Sequence, residues 1–100
     1  MVPQLKPLTK SGFFYMPELF YIYVLESLSS NKRYVGMTID INRRLKEHNA
    51  GKSKFTNAFK PWKIIYSETA NSRKSARGRE KYLKSAAGRR FLKNIFSLND

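Results

Sequence analysis

Few side chains in this 100-residue sequence can do more than carry charge. His48 is the only histidine, and so the only side chain whose ordinary pKa lies near neutrality. Arg44 stands one helical step before it and offers a forked donor matched to phosphate oxygens. Glu80 is the single acid between Arg73 and Lys93, in a stretch that holds Arg73, Lys74, Arg77, Arg79, Lys81, Lys84, Arg89, Arg90 and Lys93. Tyr23 and Tyr34 are phenols with reference pKa values of about 10, so either serves as a base only beside a metal or a strong cation. Phosphodiester hydrolysis needs such parts and few others. It takes a cation on the non-bridging oxygens, a base for the attacking water, and a metal to neutralise charge on the phosphorane. A hard cation such as Mg²⁺ can be held by one carboxylate, several waters and the substrate phosphate.

Each group also has a plainer role. Glu80 could form exposed pairs with Lys84 and the arginine flanking Ala76, worth a few tenths of a kcal/mol each. A lone histidine on an apolar helix face could be a satisfied buried residue, and tyrosines on a hairpin could be packing. Residue types alone leave both sets of readings open.

Composition narrows the partner. Twenty Lys and Arg face 7 Asp and Glu, for a formal charge of +13 and a pI near 10.3. Such a balance calls for a polyanion, with nucleic acid ahead of an anionic membrane surface or a ribosomal scaffold. Apolar residues at 41% and aromatics at 14% are enough for a compact core and too many for a disordered basic tail. The length suits one domain. The absence of cysteine excludes disulfide frameworks, zinc ribbons and thiol catalysis, and one histidine excludes sites built from several imidazoles. No stretch is apolar enough to span a bilayer, no helix pairs a wide apolar face with a basic one, and the start of the chain reads poorly as a targeting signal. The expectation is a soluble, intracellular, cytoplasmic protein with no membrane partner.

The elements that must position these residues follow from patterning. Residues 1–17, with Pro3, Pro7, Ser11 and Gly12 and no periodicity, read as a flexible leader, and 18–100 as a single domain. Phe20 to Leu25 is an unbroken β-branched and aromatic run, expected as a strand covered on both faces. A turn-rich Ser27–Asn31 leads to a second strand from Arg33 to Met37. With the loop centred between Leu28 and Ser29, Tyr23 and Tyr34 lie directly opposite on one face. Asp40 caps a helix to about Ala50 that Gly51 stops, with Ile41, Leu45 and His48 inward and Arg44 on the flank. Gly51–Lys60 reads as a basic loop, Trp62–Tyr66 as a third strand, Asn71-Ser72 as the cap of a helix from Arg73 to Ser85, and Arg89–Phe96 as a last helix. The predicted class is α+β, a small three-stranded antiparallel sheet flanked by helices in the order β-β-α-β-α-α.

Taken together, Tyr21-Ile22-Tyr23, ten residues, Tyr34-Val35-Gly36, Arg44-x-x-x-His48 and Arg79-Glu80-Lys81 resemble the GIY-YIG nuclease superfamily. The likeness runs from about Leu19 to Phe96 and is greatest to small stand-alone members, with their segments like RRLKEHNAG, PWKIIYSE, REKYLKS and GRRFLKNI. The resemblance implies that Tyr23 and Tyr34 bind or activate the attacking water. It implies that Arg44 binds the scissile phosphate, that His48 supports or transfers a proton, and that Glu80 holds Mg²⁺ or Mn²⁺. Gly36 matches the second motif's glycine, where backbone passes close to the reacting groups. The chain departs from the pattern in having Tyr21 where the first motif's name has glycine, and Val35 for isoleucine. Larger members also carry an asparagine after the glutamate, for which Asn94 is only a candidate by order and is not counted among the site residues.

The expectation is a metal-dependent endonuclease acting on DNA, with DNA repair or recombination as its setting. Lys46, Lys52, Lys54, Arg73, Arg77, Lys84, Arg89 and Arg90 would hold the nucleic-acid backbone, and shape or a protein partner would supply target choice. The alternative is a catalytically weak or inactive nucleic-acid-binding module on the same fold, for which the basic face alone suffices.

Overall fold

The computed structural model describes residues 4–7, 13–16 and 19–98. Strands β1 (Gln4–Pro7) and β2 (Phe13–Met16) pair antiparallel as a separate two-stranded sheet. The segment read as a leader therefore includes paired backbone, and the rest of residues 1–17 lies outside the described residues.

The main sheet is built from β3 (Phe20–Ser27), β4 (Arg33–Thr38) and β5 (Trp62–Ala70), all antiparallel in the order β4-β3-β5. The central β3 is covered on both faces, as its continuous apolar run requires. Phe20, Ile22 and Val24 pack under helices α3 (Arg73–Lys84) and α4 (Ala86–Leu98) with Ala76, Leu83 and Leu92. Tyr23 and Leu25 point the other way, with Trp62, towards α1 (Ile41–Asn49) and α2 (Lys54–Ala58). Burying each large side chain contributes about 1.5–3 kcal/mol, so β3 anchors both layers.

The β3–β4 register differs from the expected one by two residues. Tyr23 faces Gly36, and Tyr34 faces Leu25. Ser27 sets the difference. Its hydroxyl accepts from the amides of Ser29 (3.1 Å) and Ser30 (3.0 Å), and its amide donates to the Lys32 carbonyl (3.0 Å). The pairing thus persists to Ser27 and the loop is centred between Ser29 and Ser30. Because side chains alternate with period 2, a two-residue offset keeps Tyr23 and Tyr34 on the same face but makes them diagonal neighbours.

Helix boundaries follow local chemistry. Asp40 accepts from the Arg43 amide at 3.0 Å, and Ser72 from the Ser75 amide at 3.1 Å. Gly51, at φ +83°, stops α1 in the left-handed region open to glycine. Ser85 separates α3 from α4: its hydroxyl donates to the Tyr82 carbonyl and accepts from the Gly88 amide. One residue serving both ends lets α4 begin at Ala86, earlier than expected. The segment expected as a loop contains α2, giving the order β-β-α-α-β-α-α after the N-terminal hairpin. This five-residue helix is tied down by Trp62, whose indole donates to the Thr56 carbonyl at 2.7 Å.

Candidate active site

The edge strand β4 decides where the functional side chains meet. A cleft of about 360 Å³ beside it is lined by Tyr23, Tyr34, Arg44 and Glu80, together with Arg73 and Arg77. Tyr23 and Tyr34 come from the hairpin, Arg44 from α1 on one side of the sheet, and Glu80 from α3 on the other. The structure brings together four of the residues singled out in the sequence, and the fifth, His48, touches the group from behind.

Gly36 makes the arrangement compact. A Cβ placed there would lie 2.5 Å from the Tyr23 hydroxyl oxygen and 2.9 Å from Cε1 of Tyr34. The phenol of Tyr23 therefore lies across the strand over Gly36, a position that any side chain would displace.

His48 is fully buried, and both ring nitrogens are engaged. Nε2 lies 2.9 Å from the Tyr23 hydroxyl, and Nδ1 lies 2.8 Å from Oγ1 of Thr56. Thr56 directs its one hydroxyl proton towards the Ser53 carbonyl at 3.4 Å. It is then free to accept from Nδ1–H, which leaves the Nε2 lone pair to accept from Tyr23. The hydrogen bonds run in one direction: Tyr23 to His48, His48 to Thr56, Thr56 to backbone. Burial, helped by the nearby Arg44 cation, pushes the His48 pKa down to about 4, so the ring is neutral at physiological pH. Burial and the adjacent Tyr34 push the Tyr23 pKa up to about 12, against the pull of Arg44. Tyr23 keeps its proton, and the neutral imidazole accepts a hydrogen bond from it. The edge of the His48 ring also meets Tyr34, with centroids 4.8 Å apart.

Arg44 donates from Nη1 to Glu47 at 3.0 Å, which orients the guanidinium and leaves further donors of its fork for an oxyanion. Glu80 differs from the exposed pair that its sequence setting allowed. Its side chain is only 10% exposed, although Arg77 (2.7 Å) and Lys84 (3.3 Å) both bind its carboxylate. Among the described residues it is the one carboxylate lining the cleft.

The other basic residues divide. Arg73 and Arg77 line the cleft, Lys84 and Arg89 line a larger neighbouring cavity, and Lys46, Lys52, Lys54 and Arg90 are exposed away from both. Arg79 is structural: its guanidinium binds Glu68 twice, at 2.6 and 3.1 Å, and covers the rings of Tyr82 and Phe91. Asn94 is exposed on α4 and lines neither space. Sequence reasoning missed Thr56, which sits in the segment read as a loop. The available signal was Ser53, a residue type that starts helices.

Comparison with known proteins gives the family. The family model described as the GIY-YIG catalytic domain matches residues 19–94. The chain belongs to the GIY-YIG family. It carries the family's nuclease-type fold, and its relatives include small proteins named UPF0213. A UPF0213 protein of Streptococcus agalactiae is 49% identical over 57 residues, 56% of this chain and 64% of its own length. One from Haloquadratum walsbyi is 37% identical over 71 residues, covering 70% of this chain and 79% of the relative. One from Staphylococcus haemolyticus is 33% identical over 76 residues, covering 75% and 92%. The match thus spans less than two thirds of the Streptococcus agalactiae relatives. No solved structure matches the chain. Among the described residues, no helix of this GIY-YIG domain is long and apolar enough to cross a membrane.

Proposed function

We propose that this chain is a metal-dependent endonuclease that hydrolyses phosphodiester bonds of DNA in the cleft beside β4. The observation that carries the reading is the joining of Arg44, two phenols and Glu80 in one cleft, with Tyr23 bonded to a neutral, buried His48. Arg44 holds non-bridging oxygens of the scissile phosphate. His48 Nε2 fixes the Tyr23 hydroxyl, which orients the attacking water; because burial holds the imidazole near pKa 4, the water's proton passes on to solvent rather than staying on His48. Tyr34, which makes no side-chain hydrogen bond among the described residues, offers its hydroxyl to the water or to a phosphate oxygen.

Glu80, whose carboxylate lines the cleft, would be the anchor for a metal. One carboxylate beside two phenols and solvent suits a hard cation that keeps its waters, and Mg²⁺ or Mn²⁺ fits this donor set. When bound, such an ion supplies charge neutralisation at the phosphorane and lowers the pKa of nearby water. The basic rim of Arg73, Arg77, Lys84 and Arg89 holds flanking phosphates, and target choice rests on nucleic-acid shape or a protein partner.

The ion pairs of Glu80 with Arg77 and Lys84 favour a second reading, a catalytically weak or inactive nucleic-acid-binding module in which Glu80 is a structural group. A panel of labelled duplex, flapped, branched and single-stranded DNA, incubated with Mg²⁺, with Mn²⁺ and with chelator, separates the two. The nuclease reading expects metal-dependent cutting that Glu80→Ala abolishes while binding persists. Cutting by the Glu80→Ala variant would overturn the metal assignment, and no cutting of any substrate would leave the binding module.

A further inference from the structure

The cleft accounts for the phosphate but not for a larger cavity beside it. That cavity, about 700 Å³, lies next to the cleft and shares Tyr34 with it. Val35, Leu83 and Leu92 contribute apolar surface, and Tyr34 and Phe55 contribute aromatic rings. Its charged lining residues are Arg33, Lys84, Arg89 and Lys93, all cations. Arg33 is paired with Glu26 and Lys84 with Glu80, while Arg89 and Lys93 have no carboxylate partner among the described residues. The volume lies within the range of about 300–1,000 Å³ that takes small organic groups.

Phe55 is the second observation. It sits on α2 between Lys54 and Thr56 and is 47% exposed, whereas Thr56 beside it is fully buried. Its ring is within 30° of parallel to that of Tyr34, at 6.2 Å, and is backed by Phe59 at 5.3 Å and Trp62 at 6.4 Å. A supported aromatic surface in a basic segment, facing a cation-lined apolar cavity, matches a ligand that is flat and apolar in one part and anionic in another. A nucleotide has that chemistry, and its base is available only when unpaired and unstacked.

We infer that this cavity binds an unpaired nucleobase next to the scissile phosphate, stacked on Phe55, with Arg89 and Lys93 on the flanking phosphates. The inference rests on the nuclease reading of the adjoining cleft and deepens it: the substrate carries a flipped, flapped or single-stranded nucleotide at the cut. The shared wall, Tyr34, couples the two spaces, since it lines both and its ring stands beside Phe55.

The test needs no cleavage. A short single-stranded DNA oligonucleotide carrying 2-aminopurine is titrated with the protein in chelator, beside the same sequence as a perfect duplex. Stacking on Phe55 should quench the probe in the single strand. Phe55→Ala and Phe55→Leu should each weaken single-strand binding about tenfold, about 1.4 kcal/mol, and abolish the quenching. Duplex binding should stay within about twofold. Phe55→Leu keeps apolar bulk against Phe59 and Trp62, so a loss shared with Phe55→Ala reports the missing ring. Phe55→Trp should retain affinity. The double variant Arg89→Ser, Lys93→Ser should weaken single-strand binding and flatten its salt dependence. An unquenched probe, or equal losses on single strand and duplex, would overturn the inference. A protein that stacks the probe but never cuts DNA loses the nuclease reading alone. One that cuts flaps equally with and without Phe55 loses this inference alone.

Discussion

The two faces of the sheet are built from the same strands and differ in what they bury. Under α3 and α4 the core is aliphatic and aromatic: Phe20, Ile22, Val24, Ala76, Leu83 and Leu92 meet with no polar side chain among them. Under α1 and α2, Tyr23, Leu25 and Trp62 share the interior with His48 and Thr56, both fully buried. Among the described residues no buried side-chain polar atom lacks a partner, so the second face is a satisfied network rather than a defect. The first face carries its ionisable Glu68–Arg79 pair outside this apolar cluster, and that pair loses its contribution only below about pH 4.5. The other buries an ionisable ring and keeps it neutral well below pH 6.5, where in water it would be protonated.

The sharpest way to break this contrast is through the groups that face solvent from the polar side. Arg44→Ala should lower cleavage about 10²–10³-fold, the scale of losing an oriented oxyanion donor, with little change in melting temperature. Arg44→Lys should recover only part, because a point charge lacks the fork. A steady-state assay on any substrate that wild type cuts measures both.

The converse is a change in the apolar face. Leu83, fully buried, should cost about 3 kcal/mol when cut to alanine, within the usual span of about 2–5. Urea denaturation should show that loss, while the pH profile of cleavage keeps its shape. A shifted profile would mean that the faces are not separate.

Acid stability sharpens the comparison further. His48 takes a proton near pH 6.5 in the unfolded chain and near 4 in the folded one. As pH falls through that window, the unfolded state binds a proton that the native state refuses, and stability should drop by on the order of 3 kcal/mol. Glu68, held below the usual carboxylate range by Arg79, adds its own loss only below about pH 4.5. The interval from 6.5 to 4.5 therefore belongs to His48, and His48→Gln should flatten it in denaturation at stepped pH. Tyr23 gives the mirror case. Its raised pKa of about 12 against 10 unfolded means that stability falls as pH rises beyond 10.

The smallest effect concerns the tautomer. Thr56→Val removes the acceptor at Nδ1 and should cost about 1–2 kcal/mol. It should also lower the cleavage rate with KM unchanged, and Thr56→Ser should restore the rate. Equal recovery by Ser and Val would reduce Thr56 to packing.

Much of this was legible residue by residue. The caps Asp40 and Ser72, the stop at Gly51, and the double-sided burial of β3 are local consequences of side-chain chemistry, and they appear where patterning put them. The hairpin register was not, because Ser27 fixes it through hydroxyl bonds to Ser29 and Ser30 that resemble any other turn in sequence. Helix α2 was hidden for a related reason. Five residues are too few for periodicity, and what holds them is Trp62, reached only when β5 folds back.

The sequence by itself determined the family, the basic character, and which tyrosines, arginine, histidine and glutamate stand at the telling spacings. Those properties are set by residue type and order along the chain. Only the tertiary structure decided that Glu80 is buried yet salt-bridged, that Thr56 orients His48, and that Phe55 overlooks a cavity beside the cleft. Burial, protonation and tautomer depend on which groups exclude water and which reach across it, and those neighbours come from elements far apart in the chain.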